Sequence, residues 1–324
     1  MHIIFATASF ASQYLLLGIA QNILEAWPKI VPCPKLSQWL RENPDPKRVT
    51  ICDSGVFSTW SQGNEVDINA YAEFYKDQND IWKYFVNCDV IPGTPGHIPT
   101  DQEVEESAQK GWDNWMTLLD AGLPAEKVIH VFHQNEDLKW LEKLMDFQDK
   151  YVKDGYIGIS PANDRTPHQR MLWLDQVMPY ICNKDGSARI KFHGFGVTSV
   201  SILKRFPWFT ADSTSWMRAG AMGRLKIPQY NKKFPHLESK TLIAVTKGTG
   251  ESKGTTHYDS LGTQAQKMLQ QYVESNGFTI EDVAQDEHKG VLARQTCNLN
   301  YWKHMEKELN TFDLRWKPSQ PGFL

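Results

Sequence analysis

The sequence predicts a single (β/α)8 barrel of the TIM type. Three observations lead there. Eight short apolar runs alternate with amphipathic stretches, acids and histidines recur just after consecutive runs, and 324 residues is ordinary for one such barrel with insertions. The composition agrees, because 41% hydrophobic and 23% charged residues provide for a packed core and argue against disorder. An open doubly wound sheet has the same alternation, so periodicity by itself leaves closure of the sheet open.

The runs are residues 2–8, 49–52, 84–88, 128–132, 156–159, 190–192, 208–211 and 242–245. Each is short, apolar and bounded by Gly, Pro or polar residues, as strands buried on both faces are. The clearest helix is 103–121, with an acidic start and an end at Gly122-Leu123-Pro124; 138–151 and 168–181 follow the same logic. Residues 217–240 are irregular, basic and punctuated by Gly and Pro, so they are expected as an insertion after strand seven. The GTGESKG stretch, 248–254, reads as a flexible loop after the eighth strand. Residues from about 255 to 324 read as the last helix plus a helical extension, all within one domain, 1–324.

No run is long enough to span a membrane. The apolar first twenty residues lack a basic start and are broken by Ser, Gln and Tyr, so they read as a buried strand and not as a secretory leader. Five cysteines, at 33, 52, 88, 182 and 297, come no closer than nineteen residues apart. That spacing supports no Cys-rich metal site and fits reduced thiols in a cytoplasm. No metal and no cofactor are expected. Net charge is −3, but residues 204–254 carry ten Lys or Arg against three acids, a net +7 that leaves −10 on the remainder. A basic segment on an acidic body is either a solvated loop or the footprint of a nucleic-acid site. Twelve Trp is a high count, which leaves some in polar loops as stacking surfaces.

The polar residues are informative by position. The second run ends in Asp53, the third in Asp89, the fourth in His133, the sixth in His193 and the seventh in Asp212, while the fifth leads into Gly158-Ile159-Ser160-Pro161-Ala162-Asn163. In a parallel barrel these ends share one face, where the βα loops build active sites. One Asp after a strand is commonly a helix cap. Three Asp and two His at consecutive ends are not a capping pattern. Converging carboxylates suit acid–base or covalent chemistry at an acetal-like carbon. No complete glycine-rich phosphate loop and no serine nucleophile elbow is present.

Six segments, DSGVFS (53–58), NCDVIP (87–92), FHQNEDLKWL (132–141), GYIGIS (155–160), HGFGVTSVSILKRF (193–206) and FTADSTSW (209–216), resemble, in order, motifs of the tRNA-guanine transglycosylase superfamily. The pattern is closest to the phage and bacterial members that place 7-deazaguanines in DNA. It departs from the tRNA enzymes in lacking their Cys-rich zinc site and in having Val56 and Ser58 where their DSGGFQ segment has Gly and Gln.

The resemblance implies a DNA-guanine transglycosylase. Asp212 would be the nucleophile at the sugar and Asp53 would exchange protons with the leaving and incoming bases. Asp89 would read the purine edge, accepting two hydrogen bonds side by side. Ser54 and Phe57 would line the base pocket, His133 stands where the tRNA enzymes have a Gln on the base, and Gly158, His193 and Gly196 complete the substrate-binding set. Arg218, Arg224, Lys226, Lys232 and Lys233 would hold phosphates, with Trp208 and Trp216 flanking Asp212 as core or stacking residues. The implied partners are DNA, with its guanine extruded or single-stranded, and a free 7-deazaguanine base such as 7-cyano-7-deazaguanine. The place of action is the cytoplasm, the host's if the chain is phage-encoded. The same chemistry on tRNA, a carbohydrate-active glycosidase and an inactive nucleic-acid-binding barrel are the alternatives.

Overall fold

The computed structural model describes residues 1–6, 22–31, 34–94, 97–239, 242–246 and 256–318. They form two compact units. One holds residues 2–6, 22–212 and 314–318, and the other holds Met1 and 213–313.

The first unit is the predicted barrel. Its strands are β1 (His2–Ala6), β2 (Ile23–Ala26), β3 (Thr50–Asp53), β4 (Tyr84–Val86), β5 in two pieces (Val128–Ile129 and Val131–His133), β6 (Tyr156–Ser160), β7 (Lys191–Gly194) and β8 (Thr210–Ser213). They lie side by side in chain order, and β8 returns to β1. The first piece of β5 pairs parallel with β4 and the second with β6, so the ring runs through the break at His130. The His130 carbonyl still accepts from Gly158 N at 2.8 Å. Ile4, Leu24, Ile51, Val86, Ile129 and Val131 pack inside as one apolar cluster with Tyr156.

The helices are α1 (Trp27–Ile30), α2 (Pro34–Glu42), α3 (Val56–Trp60), α4 (Ile68–Gln78), α5 (Asp101–Asp120), α6 (Leu138–Tyr151), α7 (Pro167–Ile181) and α8 (Val200–Arg205). Their starts follow local chemistry. Thr100 with Glu103 and Thr166 with Gln169 form capping boxes, and Asp67 and Asp137 cap α4 and α6. The chain end returns to this unit: Trp316 N donates to Gly186 O at 2.9 Å, and its indole N–H to Asp175 at 2.9 Å.

One strand assignment is corrected. The run at 242–245 is not the eighth barrel strand. Ile23–Ala26 supplies the missing strand, so Asp212 ends the eighth strand and the basic segment follows strand eight rather than strand seven. Leu242–Ala244 belongs to the second unit, as β10 at the centre of a three-stranded sheet between β9 (Arg224–Lys226) and β11 (Thr256–His257). Its apolar pattern served a different sheet. The first predicted run extends to Thr7 and Ala8, which lie outside the described residues, as do the 248–254 loop, Lys240, Lys247, Lys253 and Cys33.

The second unit also contains α9 (Ser215–Ala221), α10 (Pro235–Glu238), α11 (Thr263–Ser275), α12 (Ile280–Ala284) and α13 (His288–Leu309), which is the expected helical C-terminal part. α13 organises it through buried polar groups. Arg294, 1% exposed, donates to the carbonyls of Gly220, Val283 and Gln285 at 2.6–2.7 Å. Asn298 donates to Trp216 O and Arg224 O and accepts from Lys226 N at 2.8 Å. Glu308 accepts the backbone N–H of His236 and Leu237 and binds the His236 ring at 2.6 Å. Such groups stay buried because each has its partners.

Cys52, Cys88, Cys182 and Cys297 are free and buried. Burial pushes all four thiols up, Cys182 and Cys297 to about 12. Among the described residues no helix is long and apolar enough to cross a membrane.

Candidate active site

The carboxyl ends of the barrel strands open into a cavity of about 590 Å³, lined by residues that include Asp53, Asp89, His133, Glu136, Asn163 and Gly196. That volume lies within the roughly 300–1,000 Å³ usual for small-molecule sites. Its apolar wall includes Val56, Phe57, Trp60, Val86, Val131 and Phe195.

Asp53 closes β3. The next residues turn sharply: Gly55 has φ +77°, and a Cβ there would come within 2.6 Å of Pro28. The turn lets the Gly55 N–H reach the Asp53 carboxylate. Burial and then the charge of Asp89 nevertheless raise Asp53 to about 7, with Asp212 and Glu25 adding to the effect. Tyr71 ties the strands together beneath this point, its hydroxyl within 3.1 Å of Cys52 O and 2.9 Å of Val86 O. Glu25 was not anticipated from the sequence. It is 1% exposed and pairs in register with Cys52, which places it on the opposite face of the sheet from Asp53. An acid inside the four-residue apolar run ILEA was the available signal.

Asp89 follows β4, in a loop fastened to α5 by Asn114 to Cys88 O at 2.7 Å and Asn87 to Gly111 O at 2.8 Å. His133 Nε2 lies 2.7 Å from Asp89 Oδ2, and His133 Nδ1 lies 2.8 Å from Glu136 Oε1. Burial opposes the imidazolium charge, but Glu136 and Asp89 outweigh it and push His133 up to about 10. The histidine is held between two carboxylates, which favour its imidazolium form, and one oxygen of Asp89 is occupied by it. The turn that brings Glu136 back has Asn135 at φ +96°, a left-handed conformation that Asn tolerates better than most residues. Gln134 pins the turn, its side chain accepting from Ala162 N at 3.0 Å.

His193 and Asp212 project inward from β7 and β8. Val131, Gly158, His193 and Thr210 are register partners across four neighbouring strands, and Tyr156 lies two residues before Gly158 on the same face. His193 Nδ1 is 2.7 Å from Thr210 Oγ1, which also contacts the Tyr156 hydroxyl. His193 Nε2 stands 3.5 Å from Asp212 Oδ1, and Asp212 Oδ1 accepts from Gly196 N at 2.5 Å. Asp212 is 9% exposed and is not itself on the cavity wall; Gly196, which is, connects it to the wall.

The remaining predicted residues are spread more widely. Phe57 is 67% exposed at the rim, its ring 6.0 Å from Trp60, whose indole N–H donates to Gly93 O at 2.9 Å. Ser54 is buried, and its hydroxyl has no hydrogen-bond partner among the described residues. Gly158 lies inside the barrel, where a Cβ would meet Phe195 at 2.6 Å. Trp208 and Trp216 are core residues, 3% and 1% exposed. In the second unit, Arg218, Lys232 and Lys233 are exposed. Lys226 is half-buried over the rings of Tyr301 and Trp302. Arg224 is half-buried on β9.

Among the described residues no group of three or more His, Cys, Asp or Glu is arranged to hold a metal ion. In comparisons with known proteins, no family model matches this chain, and no curated protein sequence matches it either.

Proposed function

We propose that this chain is a guanine transglycosylase that exchanges guanine in DNA for a 7-deazaguanine base. The observation that carries the reading is the meeting of three differently prepared aspartates at one end of the barrel. Asp53 has a proton affinity near neutrality, Asp89 is held by a cationic histidine, and Asp212 is fixed through one oxygen.

In the proposed reaction Asp212 attacks C1′ of the target nucleotide through Oδ2, since Oδ1 is engaged by Gly196 N. The C1′–N9 bond breaks, its electron pair leaves with guanine, and protonated Asp53 supplies the proton that guanine needs. The incoming base gives its own N–H proton to Asp53 and attacks C1′, and the Asp212 carboxylate departs. The proton count returns to its start, so a single group near pH 7 serves both halves. Asp89 accepts from the purine edge through the oxygen that His133 leaves open. The target base leaves the helix stack to reach this cavity, and the exposed cations Arg218, Lys232 and Lys233 contact phosphates.

The test is incubation with labelled guanine and, separately, duplex DNA, single-stranded DNA and tRNA. Label entering DNA is the expected result. Label entering tRNA alone would move the polymer assignment, and label entering none would overturn the reading. Asp212→Asn should abolish exchange and any trapped protein–DNA adduct, and near-parental turnover in that variant would remove Asp212 from the nucleophile's role.

A further inference from the structure

The interior of a (β/α)8 barrel is ordinarily filled by branched apolar side chains. Here its upper layer contains Tyr156, His193 and Thr210, each 1% exposed or less. Burying three polar groups is costly unless they satisfy one another. Two of the contacts form a line, Tyr156 hydroxyl to Thr210 Oγ1 and Thr210 Oγ1 to His193 Nδ1 at 2.7 Å, while His193 Nε2, which has no hydrogen-bond partner among the described residues, faces Asp212 Oδ1 at 3.5 Å. The ring is held from the side by Phe195, edge-on at 4.3 Å between centroids. Phe195 has its place because Gly158 lacks a Cβ.

For a neutral ring, the carboxylate facing Nε2 sets the direction of the line. Thr210 has one hydroxyl proton and Tyr156 has one. If the tyrosine donates to Thr210 and Thr210 donates to His193 Nδ1, both hydroxyl protons have acceptors and the proton of the neutral ring sits on Nε2, aimed at Asp212 Oδ1 3.5 Å away. The neutral tautomer with its proton on Nδ1 would turn the bare lone pair of Nε2 toward the Asp212 carboxylate, which is repulsive. A doubly protonated ring would also place N–H at Nε2.

We infer that Tyr156, Thr210 and His193 form a buried relay that keeps an N–H on His193 Nε2 directed at Asp212 Oδ1, and so positions this carboxylate with Oδ2 toward the substrate. His193 is then a positioning residue behind the nucleophile rather than a contact to the base. The separation of 3.5 Å shortens to a hydrogen bond in the reacting complex, as catalytic contacts commonly tighten on substrate binding. The inference rests on the transglycosylase reading for the role of Asp212, but not for the tautomer.

Two measurements keep those parts separate. The first uses ¹⁵N-histidine-labelled protein, with the His193 signals assigned by their loss in His193→Gln. The ring should carry its proton at Nε2 in the parent and become a mixture of tautomers in Thr210→Val and Tyr156→Phe, both checked for parental melting. A bare Nε2 in the parent, or an unchanged ring in both variants, would sink the relay whatever the protein's reaction is. The second is base exchange. Thr210→Val and Tyr156→Phe should lower kcat about tenfold with KM for the free base unmoved. His193→Gln, which can present an amide N–H near the Nε2 position, should retain more activity than His193→Leu. Parental kcat in His193→Leu would overturn the positioning role while leaving the transglycosylase reading intact. No exchange by the parent on any polymer would overturn that reading, and the ring measurement would still decide the relay.

Discussion

Asp53 and His133 line the same cavity and both hold a proton more tightly than usual, each over its own pH window. Asp53 is raised to about 7 by burial and by Asp89, so between roughly pH 4 and 7 the folded chain binds a proton that the unfolded chain has released. Stability from this group is complete below pH 4 and is lost as pH rises through 7. Asp53→Asn should therefore gain on the parent across that window in chemical denaturation, with a linkage ceiling of about 4 kcal/mol. It should also lose base exchange, whose rate in the parent should inflect near pH 7. An inflection absent from the parent, or retained in the Asn variant, would assign the proton to another group. His133, raised to about 10 by Glu136 and Asp89 against the cost of burial, stabilises fully below about pH 6.5 and loses that contribution as pH rises to 10. Melting temperatures at pH 6 and pH 10 should fall further apart in the parent than in His133→Gln. Equal differences would mean that the imidazolium is not held as the geometry requires. Asp53 and His133 were legible because each ends a strand, and Asp89 because it follows one closely. Glu136 was not singled out, since an acid three residues past a histidine in HQNED looks like ordinary loop polarity; only the left-handed turn at Asn135 makes it a partner.

At the scale of elements, the helices 103–121, 138–151 and 168–181 were read to within two residues because their caps and apolar spacing are local properties. The strands were harder. Ile23–Ala26 is four residues long and passes straight into α1, so it offers neither alternation nor a turn signal. Leu242–Ala244 reads like a barrel strand because any buried strand does; which sheet it joins is decided by partners distant in sequence. Gly158 shows how one element serves another. Its empty side-chain position on β6 is filled by Phe195, which in turn abuts His193. Gly158→Ala should force the Phe195 ring aside and cost about 1–3 kcal/mol by overpacking. The check is a denaturant midpoint together with exchange activity. Full stability and full activity in this variant would show that the layer has slack.

For the whole molecule, the charge asymmetry remains the main argument for a polyanion partner, and the fold sorts the cations that carry it. Lys226 lies against Tyr301 and Trp302, where burial lowers its affinity for a proton, so its substitution should act mainly through packing. Arg218, Lys232 and Lys233 are exposed. Replacing those three with Gln should weaken DNA binding and reduce the slope of log affinity against log salt by about 2–3, with melting little changed. An unaltered slope would place the phosphates elsewhere. The buried thiols give the molecule a clock. Cys52, Cys88 and Cys182 belong to the barrel unit and Cys297 to the other, and all four are buried with their thiolates disfavoured. An alkylating reagent in native buffer therefore reaches each one only during an opening event. Followed site by site by mass spectrometry, the order in which these four sulfurs take up the label reports how often each unit opens on its own, with no mutation and no denaturant.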